Sequence, residues 1–80
     1  MPKPRRLSGA EIIRVFEKFG FAAVNQRGSH IKLVRYGPVG KERLLVPNHA
    51  ELKTGAIVGI YKQALQYISE SDLREHFYSA

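Results

Sequence analysis

The chain contains no cysteine. That excludes a disulfide framework and any Cys-based zinc site. Histidines are few (His30, His49 and His76), and their spacing fits no metal motif. The sequence therefore predicts neither a bound metal nor a cofactor. Acidic residues are scarce: seven Asp and Glu stand against thirteen Lys and Arg, a formal net charge of +6. Such a balance predicts an anionic partner, nucleic acid first and an acidic protein second. No apolar run is long enough to span a membrane. The basic start, Met1-Pro2-Lys3-Pro4-Arg5-Arg6, leads into no signal-peptide core. The expectation is a soluble, cytoplasmic protein. Eighty residues make a single domain over 1–80 with a modest core. Internal repeats, linkers and low-complexity tracts are absent.

Residues 1–6 read as a flexible basic arm, because Pro2 and Pro4 hinder helix formation. Ser8 followed by Glu11 is a capping box, with Leu7 and Ile12 placed as a hydrophobic staple. Ile12, Ile13, Phe16 and Phe19 recur at helical spacing, and Gly20 supplies a stop, so a helix is predicted over 9–19. Strands are predicted over 21–26, 30–36 and 42–46, joined by turns at 27–29 and 37–40. Thr54 is placed to cap a second helix, whose stripe is Ile57, Ile60, Tyr61, Ala64 and Ile68. A last short helix is expected from about residue 71 or 72 to 78. Two amphipathic helices need a surface to cover, and a three-stranded antiparallel meander offers one. The predicted fold is α+β, in the order α-β-β-β-α, with both helices on one face of the sheet and a short C-terminal helix. This order is that of the double-stranded-RNA-binding fold, though a fold does not fix a function.

The segment with most chemistry begins at Gly28-Ser29-His30. On a strand, residues two apart share a face. His30, Lys32, Val34 and Tyr36 fall on one side, and Ile31, Leu33 and Arg35 on the other. An imidazole can exchange a proton near neutral pH. Set among cations, it suggests general-base chemistry on a polyanion. RNA brings its own nucleophile, the 2′-hydroxyl. The competing reading of His30 is a polar residue at a strand edge.

Three stretches together resemble one family. They are Leu7-Ser8-Gly9-Ala10-Glu11 with Phe19-Gly20-Phe21, then Gln26-Arg27-Gly28-Ser29-His30, then Val46-Pro47-Asn48-His49-Ala50-Glu51-Leu52 with Gly55 and residues 60–64. In order and spacing they resemble HicA, the toxin of HicA–HicB toxin–antitoxin modules, over residues 7–68. The resemblance implies an mRNA interferase of double-stranded-RNA-binding-like fold that cuts RNA without a metal. It implies a HicB-like antitoxin as partner, with the toxin a monomer when free and part of a hetero-oligomer when neutralised. The family's catalytic His falls on His30. Members often carry a further His or an aromatic residue after the Gly-Ser-His, where this chain has Ile31.

Around His30 each residue carries two readings. Gly28 permits a positive φ or a close phosphate, or is an ordinary turn glycine. Ser29 orients His30 or bonds phosphate, or is a turn hydroxyl. Arg27 and Lys32 stabilise charge on phosphorus, or are solvated cations. Lys41 and Arg43, with Arg5 and Arg6, are diffuse phosphate contacts. Tyr36 stacks on a base or packs across strands. His49 is a proton donor to the leaving oxygen or a loop residue bonded to backbone. A non-catalytic RNA-binding module of the same fold, and a protein-interaction domain, are the other classes. A pure binder needs the cations but not the imidazole.

Overall fold

The computed structural model describes residues 3–78. Its elements run α1 (Gly9–Lys18), β1 (Ala22–Arg27), β2 (His30–Gly37), β3 (Gly40–Pro47), α2 (Thr54–Ala64) and α3 (Glu70–Phe77). The strands form one antiparallel sheet in the order β1-β2-β3. This is the expected α-β-β-β-α order with a C-terminal helix.

The first helix starts as its sequence dictates. The Glu11 amide donates to Ser8 Oγ at 3.1 Å, and the Ser8 amide donates to Glu11 Oε1 at 2.8 Å. Two amides that the helix itself cannot pair are thus satisfied. Ile12 and Phe16 are fully buried, and Leu7 joins their core cluster. Beyond the cap at Phe19, Gly20 turns the chain out of the helix at φ +92°.

Hydrogen bonds from the Ser8 amide, and then its hydroxyl, hold the Glu11 carboxyl below its ordinary range. A carboxylate depressed by folding stabilises above its unfolded pKa, and that contribution is lost as pH falls through its folded pKa. The melting temperature of the wild type should therefore exceed that of Glu11→Gln at neutral pH. The gap should close through the acid range when melts are followed by circular dichroism. Ser8→Ala should cost about 1 kcal/mol at neutral pH. A gap unaltered by pH would refute the capping role of the carboxylate.

One sheet face feeds the core. Leu33 pairs with Leu44 and Ile31 with Val46 across β2 and β3. Leu33, Leu44 and Val46 are fully buried. They share a cluster with Ile12 and Phe16 of α1, Ile57, Ile60, Tyr61 and Ala64 of α2, and Leu73 and Phe77 of α3. All three helices therefore lie on that face, and the opposite face is left open. On the helix side sits Arg35, third along from Ile31 and Leu33. Its guanidinium pairs with Glu42 at 2.6 Å and donates to the carbonyls of Phe19 (2.8 Å) and Tyr67 (3.1 Å). It also stacks over the Phe21 ring, 4.7 Å from the centroid.

Several boundaries differ from expectation. Gly37 and Gly40 are paired strand residues, so only Pro38 and Val39 form the second turn. Thr54 is the first helical residue rather than the cap. The cap is Lys53, whose carbonyl accepts from Ile57 at 3.1 Å, with no side-chain capping bond. Packing of Ile57 and Ile60, not a cap, sets this start. Glu70 begins the last helix, and Tyr78 has already left it. Where a loose arm was expected, Pro4 forms an antiparallel bridge with Tyr78, and the Arg5 amide donates to the Phe77 carbonyl at 2.8 Å. Met1 and Pro2 of that arm lie outside the described residues.

Candidate functional site on the open sheet face

A two-residue turn joins β1 to β2, with Arg27 paired to His30. Gly28 has φ +61°, and no residue other than glycine has positive φ among the described residues. Positive φ at the first central position alone is the pattern of a type II′ turn, which matches the twist of the flanking strands. Gln26 Nε2 braces the turn by donating to the Gly28 carbonyl at 2.9 Å. The Asn48 amide donates to the Ser29 carbonyl at 2.6 Å, so the loop after β3 is tied to the same turn. That loop is held from below by α1. The Gly9 amide donates to the His49 carbonyl at 2.9 Å. A side chain at Gly9 would run into the backbone of Pro47, Asn48 and His49.

Directly paired residues of an antiparallel sheet project from the same face. The open face is therefore a grid of rows. Arg27, His30 and Pro47 form the first row; Asn25, Lys32 and Leu45 the second. Ala22, Val34 and Arg43 form the third, and Tyr36 and Lys41 the fourth. From His30 to Tyr36 the face is about 20 Å long at 3.3 Å per residue.

The first two rows enclose an open cleft of about 470 Å³, lined by Asn25, Arg27, His30, Lys32 and Leu45. His30 is exposed, and its ring nitrogens have no hydrogen-bond partner among the described residues. Two cations and no carboxylate line the cleft. Calcium and magnesium take anionic or carbonyl oxygens, and a single imidazole beside two cations is a poor site for a transition metal, so this donor set suits an anion instead. No group of three or more His, Cys, Asp or Glu that could hold a metal occurs among the described residues.

Of the residues singled out in the sequence, His30, Arg27 and Lys32 meet in the cleft. Gly28 and Ser29 build the turn beneath it, and the Ser29 hydroxyl makes no hydrogen bond among the described residues. Lys41 and Arg43 share the open face but stand outside the cleft, in the two farther rows. His49 is exposed in its loop and does not line the cleft. His76 packs edge-on against Phe19, its ring 5.5 Å away, on the helical side.

Asn25 and Leu45 were not singled out by the sequence reading. Asn25 arrives through a β-bulge, since the pairing shifts between Ala23 and Asn25 and Val24 is the extra residue. Strict alternation from Ala22 would have set Val24 opposite Lys32 and Gln26 opposite His30. The bulge instead turns Asn25 and Arg27 onto the open face, which is a recurrent use of bulges beside sites. Leu45 did carry a signal. Leu44-Leu45-Val46 is a continuous apolar run, and on a strand with one wet face its middle residue must face water.

No helix is long and apolar enough to cross a membrane among the described residues. No curated protein and no solved structure matches the chain. The family model described as the HicA toxin of bacterial toxin–antitoxin systems matches residues 9–65, from the first residue of α1 past the end of α2. That span takes in the whole sheet, the Gly28-Ser29-His30 turn and the cleft, and so the chain belongs to the HicA toxin family of bacterial toxin–antitoxin systems.

Proposed function

We propose that this toxin is a metal-independent endoribonuclease acting on mRNA, with His30 as general base. The observation that carries the proposal is the exposed His30 imidazole, unpartnered among the described residues and sharing an anion-suited cleft with Arg27 and Lys32. His30 takes the proton of a ribose 2′-hydroxyl. The 2′-oxygen attacks the adjacent phosphorus, and the bond from phosphorus to the 5′-oxygen breaks. The products are a 2′,3′-cyclic phosphate and a 5′-hydroxyl that takes its proton from water. Arg27 and Lys32 oppose the charge that grows on the phosphoryl oxygens. Lys41 and Arg43 extend the contact to flanking phosphates along the same face. Exposed Tyr36 offers a surface on which a base stacks.

A HicB-like antitoxin is the proposed partner. Its docking over the β1 edge would cover His30, and all six residues of that strand are exposed. A net charge of +6 favours an acidic partner surface through faster, more selective encounter.

The test is cleavage of a single-stranded RNA by the purified toxin, with ends mapped chemically. Cutting should persist in EDTA, leave a 2′,3′-cyclic phosphate, and stop when the cut-site ribose is 2′-deoxy. Loss of activity in EDTA, or unimpaired cutting at a 2′-deoxy residue, would overturn the mechanism. RNA bound but never cut would favour a binding module.

A further inference from the structure

We infer that Asn25 is a substrate-contacting residue of this site, whose side-chain amide donates a hydrogen bond to a non-bridging oxygen of the scissile phosphate. The inference rests on the RNA-cleaving reading above and names a group that the reading leaves out. Three observations carry it.

The first is placement. The bulge at Val24 sets Asn25 directly opposite Lys32, one row from the Arg27–His30 pair, and Asn25 lines the cleft with all three. Reversing a strand's facing costs local ladder hydrogen bonds. Here the reversal delivers an amide and a guanidinium to the imidazole's side of the sheet.

The second is polarity. Asn25 Oδ1 accepts the Gln26 backbone amide at 2.9 Å. A backbone N–H can only donate, so the atom facing it is the oxygen. The Nδ2 group has no partner among the described residues. Asn25 therefore has a free donor at the cleft while its oxygen is turned to the Gln26 amide.

The third is the match to ligand chemistry. Reading adenine would require both the amide oxygen and the amide nitrogen. With the oxygen already held by the Gln26 amide, a free donor beside two cations suits a phosphoryl oxygen better than the two-point contact of a base edge. Such a donor acts most strongly where charge accumulates, on the non-bridging oxygens as the 2′-oxygen adds to phosphorus.

The experiment uses the full-length toxin and an RNA cut at one site, with Asn25→Ala and Asn25→Asp as variants. Asn25 is exposed, so both variants should melt like the wild type. Removing one such donor should lower kcat by about 10²–10³, with KM little changed. Asn25→Asp should be at least as slow, because a carboxylate repels phosphate. A second readout separates contact from architecture. Sulfur in place of one non-bridging oxygen should slow the wild type on one diastereomer, and Asn25→Ala should lose that discrimination. Unchanged kcat in a folded Asn25→Ala, or retained discrimination, overturns the assignment. If the wild type leaves RNA intact, the cleavage reading and this inference fall together. If the wild type cuts, His30→Ala does not, and Asn25→Ala cuts at full rate, only the role of Asn25 falls.

Discussion

Replacing His30 with alanine is expected to slow RNA cleavage by about 10²–10⁴, the usual worth of a positioned proton acceptor. Expression of the wild type without an antitoxin should deplete mRNA and arrest growth, and His30→Ala should do neither. The fold should survive, because the imidazole is exposed and makes no hydrogen bond among the described residues. Its backbone pairing with Arg27 and Pro47 does not depend on the side chain. The variant should therefore melt with the wild type and still bind RNA through Arg27, Lys32, Lys41 and Arg43. Full toxicity from a folded His30→Ala would end the general-base assignment.

A loss of stability comparable to that of a core truncation is expected at Arg35, a charged residue. One guanidinium joins four parts of the fold. It meets Glu42 across the sheet, the Phe19 carbonyl at the end of α1, the Tyr67 carbonyl between α2 and α3, and the Phe21 ring. Arg35→Ala removes all four contacts and leaves a mostly buried Glu42 carboxylate unpaired. Breaking such a pair costs about 3 kcal/mol, the low end of the range for buried pairs. For a domain of this size that is a fall in melting temperature of roughly 12–24 °C. Arg35→Lys should recover little, since a single ammonium cannot span acceptors laid out for a planar fork. The double change Arg35→Met with Glu42→Leu should recover more than Arg35→Ala, because no charge is then stranded. A melting temperature within a few degrees of wild type in Arg35→Ala would show that the four contacts are dispensable.

The elements that were legible in the sequence are those with strong local chemistry. Ser8 and Glu11 announced the start of α1, and the alternation from His30 to Tyr36 gave β2 its two faces. Breakers misled in one place. Gly37, Pro38, Val39 and Gly40 read as a loop, yet the outer two pair, because glycine is permitted in a ladder at the mouth of a tight turn. The bulge was invisible for a physical reason. Ala22, Ala23 and Val24 are small and exposed, so they carry no contrast between a buried and a wet side to reveal a change of register. Asn25 was lost with it. Arg35 was placed on the correct face, but its reach to Phe19 and Tyr67 depends on helix packing that no local pattern encodes. The tie between Arg5 and the end of α3 joins residues seventy or more positions apart, which is equally beyond local reading.

The two outer strands differ in what they leave unsatisfied. At Leu45 the outward amide of β3 donates to Gln63 Oε1 of α2 at 3.0 Å, so a helix side chain already occupies that margin. The backbone of β1 is met by no helix side chain among the described residues; the side-chain bond to its Gln26 amide is local, from Asn25 Oδ1, and every residue of the strand is exposed. Strand addition is thus favoured at β1 over β3. Two copies meeting β1 to β1 would close on a two-fold axis, leaving outermost on each side a β3 margin where Gln63 already takes the Leu45 amide, which disfavours further addition.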